Sequence, residues 1–217
     1  MRLVAGVAGL ALAVTTSALA SDEREEKIDA VWIDMARCAS DRRDVAIAVD
    51  GTLRPLRLAV RWREAGPSEG TEPEELRVVL MAPSARARKS RILGACIPRS
   101  LSPTIWVEYE NVLRILGLIP KPRSRNDRSR LARALGRVIA HEVVHVLAPE
   151  YGHDESGLLA PWLDEQGLAD SQIGWSRGFV VWFRARYDGA HTKKVPATVD
   201  VLTLAPTPTP PPRAHTR

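Results

Sequence analysis

His141-Glu142-Val143-Val144-His145 places two histidines four residues apart with a carboxylate beside the first. On an α-helix that spacing sets both imidazoles on one face about one turn apart, so a single rigid element offers two nitrogen donors to a borderline-soft cation such as Zn²⁺. Glu142 is then placed to take the proton of a water activated by the cation while its oxygen attacks a polarised carbonyl, and to hand that proton to a leaving amine. The chemistry needs these residue types: neutral imidazoles as ligands, and a hard base that is not itself a ligand. A catalytic zinc takes a third protein donor and keeps its fourth position open. Two residues downstream qualify, His153 and Glu165. His153 is preferred, because three of the five histidines fall between residues 141 and 153, Pro149 ends the helix, and Gly152 lets the chain bend back beneath the metal. His191 and His215 lie near or in the tail.

The motif must sit on a helix, and its context supplies one. From about Asp127 to Leu147 the chain runs without Pro and with one Gly, Gly136, and Leu131, Leu135, Val138, Val143 and Val146 mark an apolar face. Upstream, Ile28, Val31, Trp32 and Met35 recur at helical spacing and predict a helix over Glu25 to Ala39. Strand candidates follow at Val45 to Val49, Leu56 to Trp62, Leu76 to Met81, Ile92 to Ile97 and Thr104 to Val107, with a loop from Gly66 to Pro73. Glu108 to Leu116 and Trp175 to Tyr187 read as helices. This order predicts an α+β fold: a mixed sheet of about four to five strands with an N-terminal helix and the long motif-bearing helix packed on it. Trp32, Trp62, Trp106 and Trp162 lie in apolar stretches and read as packing, and Tyr151 is a candidate oxyanion donor.

Residues 1–20 have Arg2 at the front, an apolar stretch from Leu3 to Val14 and a small-residue ending at Ala18-Leu19-Ala20, the pattern of a secretory signal peptide. The chain is therefore expected to be exported, to the periplasm or the extracellular space, with cleavage after Ala20. No other stretch is apolar for long enough to cross a bilayer, so no stable membrane insertion is expected after cleavage. Residues 21–195 suffice for one domain, and 196–217 read as a Pro-rich tail. The chain carries a net charge of +5, with Arg86, Arg88, Lys89 and Arg91 in one cluster and Lys121, Arg123, Arg125, Arg128, Arg130 and Arg133 in another. No aromatic residues are interleaved for base stacking, which argues for solvated surfaces and against a nucleic-acid partner. Cys38 and Cys96 are expected to form a disulfide tying the N-terminal helix to a central strand, the alternative being two buried free thiols.

The segment HEVVHVLAPEYGHDESGLLA resembles the metal-binding region of metzincin-like zinc metallopeptidases, and most of all a group of exported bacterial proteins whose third His stands eight residues after the second. The resemblance covers about residues 56–165. It implies that His141, His145 and His153 bind zinc, that Glu142 is the general base, and that Gly157-Leu158-Leu159 forms a turn beneath the metal. It further implies a zincin-like fold, a peptide or protein substrate, and an edge strand, Thr104 to Val107, that aligns the substrate. Three positions depart from the pattern: Ala148 replaces a Gly, two extra residues precede His153, and Leu159 replaces the turn Met. The last leaves open a binding module that keeps zinc without catalysis. Pro161 to Ala169 is similar instead to the gluzincin signature, interrupted by Gln166, which would make Glu165 the third ligand.

Overall fold

The computed structural model describes residues 25–37, 42–65, 75–83, 91–97, 102–119, 122, 124–170 and 172–187. The leader and the Pro-rich tail lie outside them. Ala30, Val31, Trp32 and Ile33 are consecutive, and all four are buried. A helix lying on a sheet hides only one side of such a run, whereas a strand covered on both faces hides all of it. They belong to strand β1 (Glu26–Asp34), which pairs in parallel with β2 (Leu58–Glu64) on one side and β3 (Leu76–Leu80) on the other. The helix expected over Glu25 to Ala39 is thus corrected to an interior strand, and Met35, the last member of the supposed stripe, is 45% exposed.

The reverse correction applies to Val45 to Val49, which lies within helix α1 (Arg42–Leu53). Val45, Val49 and Leu53, four residues apart, are fully buried while Ile47 between them is 60% exposed, so the burial has the helical period and not the alternating one.

Two short strands, β4 (Gly94–Ile97) and β5 (Thr104–Val107), complete a five-stranded mixed sheet in the order β2-β1-β3-β5-β4. β1, β2, β3 and β5 run parallel, and β4 pairs antiparallel with β5. The edges are therefore β2 and β4, not Thr104 to Val107, which is enclosed between β3 and β4.

Four further helices follow: α2 (Tyr109–Ile115), α3 (Arg125–Leu147), α4 (Glu165–Ala169) and α5 (Arg177–Tyr187). α3 starts at a capping box, in which the Asp127 N–H donates to the Ser124 hydroxyl and the Ser124 N–H donates to the Asp127 carboxylate, each over 3.0 Å. The helix ends before Pro149. α1 and α3 pack on each other and cover one side of the sheet, α1 against β2 and α3 against β4 and β5. The main core, from Trp32 and Leu80 through Leu135 and Ile139 to Phe179 and Phe183, lies in this layer. A smaller cluster of Val31, Ile33, Ala65 and Val79, flanked by Met81 and Trp106, occupies the other face. Trp32 and Trp62 meet edge to face, in keeping with their expected packing role.

Among the described residues no helix is long and apolar enough to cross a membrane. Cys96, on β4, carries a free thiol, and Cys38 lies outside the described residues. The free-thiol alternative is the one seen at Cys96.

Candidate metal centre

The 3.6-residue period of α3 brings His141 and His145 onto the same face, with their Nε2 atoms 3.0 Å apart. Beyond the helix the Tyr151 N–H donates to the Ala148 carbonyl, and the turn returns His153 so that its Nε2 is 3.2 Å from that of His145. Gly152 is not in the left-handed region; that conformation is taken by Gly157, at φ 78°. The three rings lie 4.6 to 5.4 Å apart, and their ligand atoms fall within 4.8 Å of one another, close enough to hold a metal ion. Among the described residues no other group of three such donors converges in this way.

Two of the three separations are compatible with a small tetrahedral cation such as zinc. Two nitrogens each about 2.0–2.1 Å from Zn²⁺ with a tetrahedral angle between them stand about 3.3–3.4 Å apart, against 3.0 and 3.2 Å here. Hydrogen bonding among the rings does not satisfy all three nitrogens. The Nδ1–H of His141 donates to the Leu158 carbonyl over 2.6 Å, which leaves its Nε2 as a bare lone pair in the neutral ring. The Nε2 of His145 carries at most one proton, so it can donate to only one of its two neighbours. A cation at the point of convergence satisfies every lone pair at once. Burial, the largest cause, lowers the pKa of His141, and burial together with the neighbouring His141 and His153 rings lowers that of His145 to about 4, so both rings are neutral donors at physiological pH.

Glu142 is 8% exposed and not among the converging donors. Burial raises its pKa to about 7, opposed by the Cys96 thiol, which donates a hydrogen bond to the carboxylate. Cys96 in turn is pushed up to about 12 by burial and by the nearby Glu142 charge, so it stays protonated as the donor. Edge strand β4 makes room for the carboxylate at Gly94, where a Cβ would stand 2.9 Å from Glu142 Oε1 and 2.8 Å from Val138 Cγ1.

The histidines and Glu142 open on a cleft of about 740 Å³. One wall is the lead-in to β4, with Ile92 and Leu93, and helix α2, with Asn111 and Ile115; the other is the segment from Ala160 to Glu165. Asn111, 1% exposed, ties the first wall together by donating to the Ile92 carbonyl over 2.7 Å. Trp162, expected in the core, is instead 73% exposed on the opposite wall. Trp106 is half-buried against the smaller cluster.

The turn expected at Gly157-Leu158-Leu159 is a single 3-10 turn with both leucines buried, and its Leu158 carbonyl is the partner of His141. Glu165, the other candidate third ligand, opens α4 on the cleft wall, and its carboxylate is ion-paired with Arg130 at 2.7 Å outside the histidine group. Tyr151 turns away: its hydroxyl donates to Asp154 over 3.0 Å and its ring packs on Phe179 and Trp182.

Sequence reasoning missed the supports. Asp154 accepts from Tyr151 and from Ser176, fixing the residue next to His153. Arg137, 4% exposed, stands on α3 between Arg133 and His141, one turn from each, and a cation so buried demands partners. No model of a known protein family matches this chain, and no curated protein matches its sequence.

Proposed function

We propose that this protein is a metzincin-like zinc metallopeptidase that hydrolyses peptide bonds outside the cytoplasm. The observation that carries the reading is the convergence of the Nε2 atoms of His141, His145 and His153 beside the buried, non-ligating carboxylate of Glu142. Three imidazoles are the donor set of a zinc site that keeps one position open, and zinc bound there supplies a Lewis acid that polarises a carbonyl and acidifies a water. Glu142, buried and not itself a ligand, accepts the proton of the attacking water and returns it to the departing amine. The Cys96 thiol and the absence of a side chain at Gly94 keep that carboxylate against β4.

An antiparallel edge strand bordering the cleft gives an extended peptide a backbone to pair with. Ile92, 55% exposed, and Trp162 on the facing wall offer apolar contacts to its side chains. The sheet, with one long helix beneath its antiparallel edge, agrees with the zincin-like arrangement that the sequence resemblance implies. Export rests on the leader-like residues 1–20.

The test is a paired measurement on wild type and Glu142→Gln. Wild type should bind about one zinc per chain and cleave members of a broad peptide library; Glu142→Gln should keep the zinc and lose about 10²–10⁴-fold in kcat. Wild type that binds zinc but leaves every peptide intact would make the protein a zinc-holding binding module, and wild type without zinc would remove the reading altogether.

A further inference from the structure

Arg137 stands four residues before His141 on α3 and is 4% exposed. Among the described residues no carboxylate is hydrogen-bonded to its guanidinium, although the nearby Asp170 charge favours the cation. The group donates instead to three backbone carbonyls of one segment: Gly167 over 2.7 Å, Ile173 over 2.9 Å, and Asp170 between them. Burying a cation is costly, and neutral carbonyls compensate it only when several are held together in the right geometry. The carbonyls of Gly167, Asp170 and Ile173 are therefore gathered around this one side chain.

That segment runs directly into the supports of two metal-site histidines. The Leu158 N–H donates to the Gly174 carbonyl over 3.1 Å, and the Leu158 carbonyl receives His141 Nδ1–H. Gly157 lies so close to the same carbonyl that a Cβ would stand 2.7 Å from Gly174 O, so the turn packs against residue 174 with no room for a side chain between them. Two residues further, the Ser176 hydroxyl donates over 2.7 Å to Asp154, the neighbour of His153. His145 has no link of this kind to the segment among the hydrogen bonds described. The neighbouring cation Arg133, one turn earlier on α3, donates to the Ala169 carbonyl and, among the described residues, to none of the three carbonyls that Arg137 holds.

We infer that Arg137 is a positioning residue for the metal centre: by clamping the carbonyls of Gly167, Asp170 and Ile173 it holds Gly174 and Ser176, and through them orients His141 and His153 toward a common point. Its effect is on affinity and on the symmetry of the ligand field, because the ring of His141 keeps its tautomer and direction only while the Leu158 carbonyl stays in place. This rests on the reading of the three histidines as a metal site.

The experiment measures zinc affinity by competition with a chromophoric chelator, and the visible d–d bands of the Co²⁺-loaded protein, on wild type, Arg137→Met, Arg137→Lys and Arg133→Met, each verified as folded by far-UV circular dichroism. Outer hydrogen-bond partners of metal ligands are typically worth about 10–100-fold in affinity. Arg137→Met should weaken zinc by that factor and reduce the intensity of the tetrahedral Co²⁺ bands. Arg137→Lys, which keeps the charge but cannot span three carbonyls, should fall between the two and serves as the readout if the methionine variant does not fold. Arg133→Met should bind zinc within about 2-fold of wild type. Folded Arg137 variants with wild-type zinc affinity and an unchanged Co²⁺ spectrum would overturn the inference while leaving the metal site standing; a wild-type protein that takes up neither ion would overturn both.

Discussion

Helix α3 and the irregular stretch that follows it, residues 148–156, place the same kind of candidate ligand by opposite means. α3 places His141 and His145 by its own period: once the Ser124–Asp127 capping box has started the helix and the core has fixed its rotation, the four-residue spacing leaves both rings on one face. The stretch after Pro149 has no period to place His153. It uses a local hydrogen bond from Tyr151 to Asp154 and others between residues far apart in sequence, from Ser176 to Asp154, from Leu158 to Gly174, and from Arg137 to three carbonyls. A helical ligand pair is thus robust to its surroundings, whereas the loop ligand is only as well placed as the least secure of its supports.

The comparison breaks first at the ligands themselves. His141→Ala together with His145→Ala should abolish zinc binding at micromolar metal, measured by equilibrium dialysis, because the remaining loop histidine is a single donor. His153→Ala should leave a two-histidine site about 10³-fold weaker, and Glu165→Ala should leave affinity unchanged. The opposite ranking of these two would make Glu165 the third ligand and His153 a bystander. At the next level, Asp154→Ala should weaken zinc by about 10–100-fold in a competition titration, since it frees the residue beside His153 without touching α3. Gly157→Ala should lower stability by about 1–3 kcal/mol in a urea melt, through the left-handed φ of 78° and the contact with Gly174 O. The smallest effect is expected at the end of α3, where the Tyr187 hydroxyl donates to the Leu147 carbonyl. Tyr187→Phe should cost about 1 kcal/mol and leave zinc affinity as it was.

The same contrast explains what the sequence reveals and what it conceals. The long motif-bearing helix, the strand Thr104 to Val107 and the turn after the third histidine are legible because local pattern and fold agree there. Helix α1 and strand β1 are misread in opposite directions. Val45, Ile47 and Val49 alternate like a strand, yet only the four-residue set Val45, Val49 and Leu53 is buried; Ile28, Val31, Trp32 and Met35 are spaced like a helix, yet the unbroken run Ala30 to Ile33 is what the interior takes. A parallel strand buried on both faces shows no alternation, so a chance helical spacing within it meets no contrary signal. The edge position of β4 is set by pairing across the sheet, which no local pattern encodes. At the site, residues bearing ligand chemistry are visible in the sequence, while backbone acceptors such as Leu158 and Gly174 are not, because every residue carries a carbonyl.

X-ray absorption at the zinc edge on the metal-loaded protein tests the central claim most directly. The account predicts three imidazole nitrogens and one light oxygen donor at about 2.0–2.1 Å, with one imidazole lost in His153→Ala. A sulfur at about 2.3 Å, which would bring Cys96 into the site, or a shell with only two imidazoles in wild type, would contradict it.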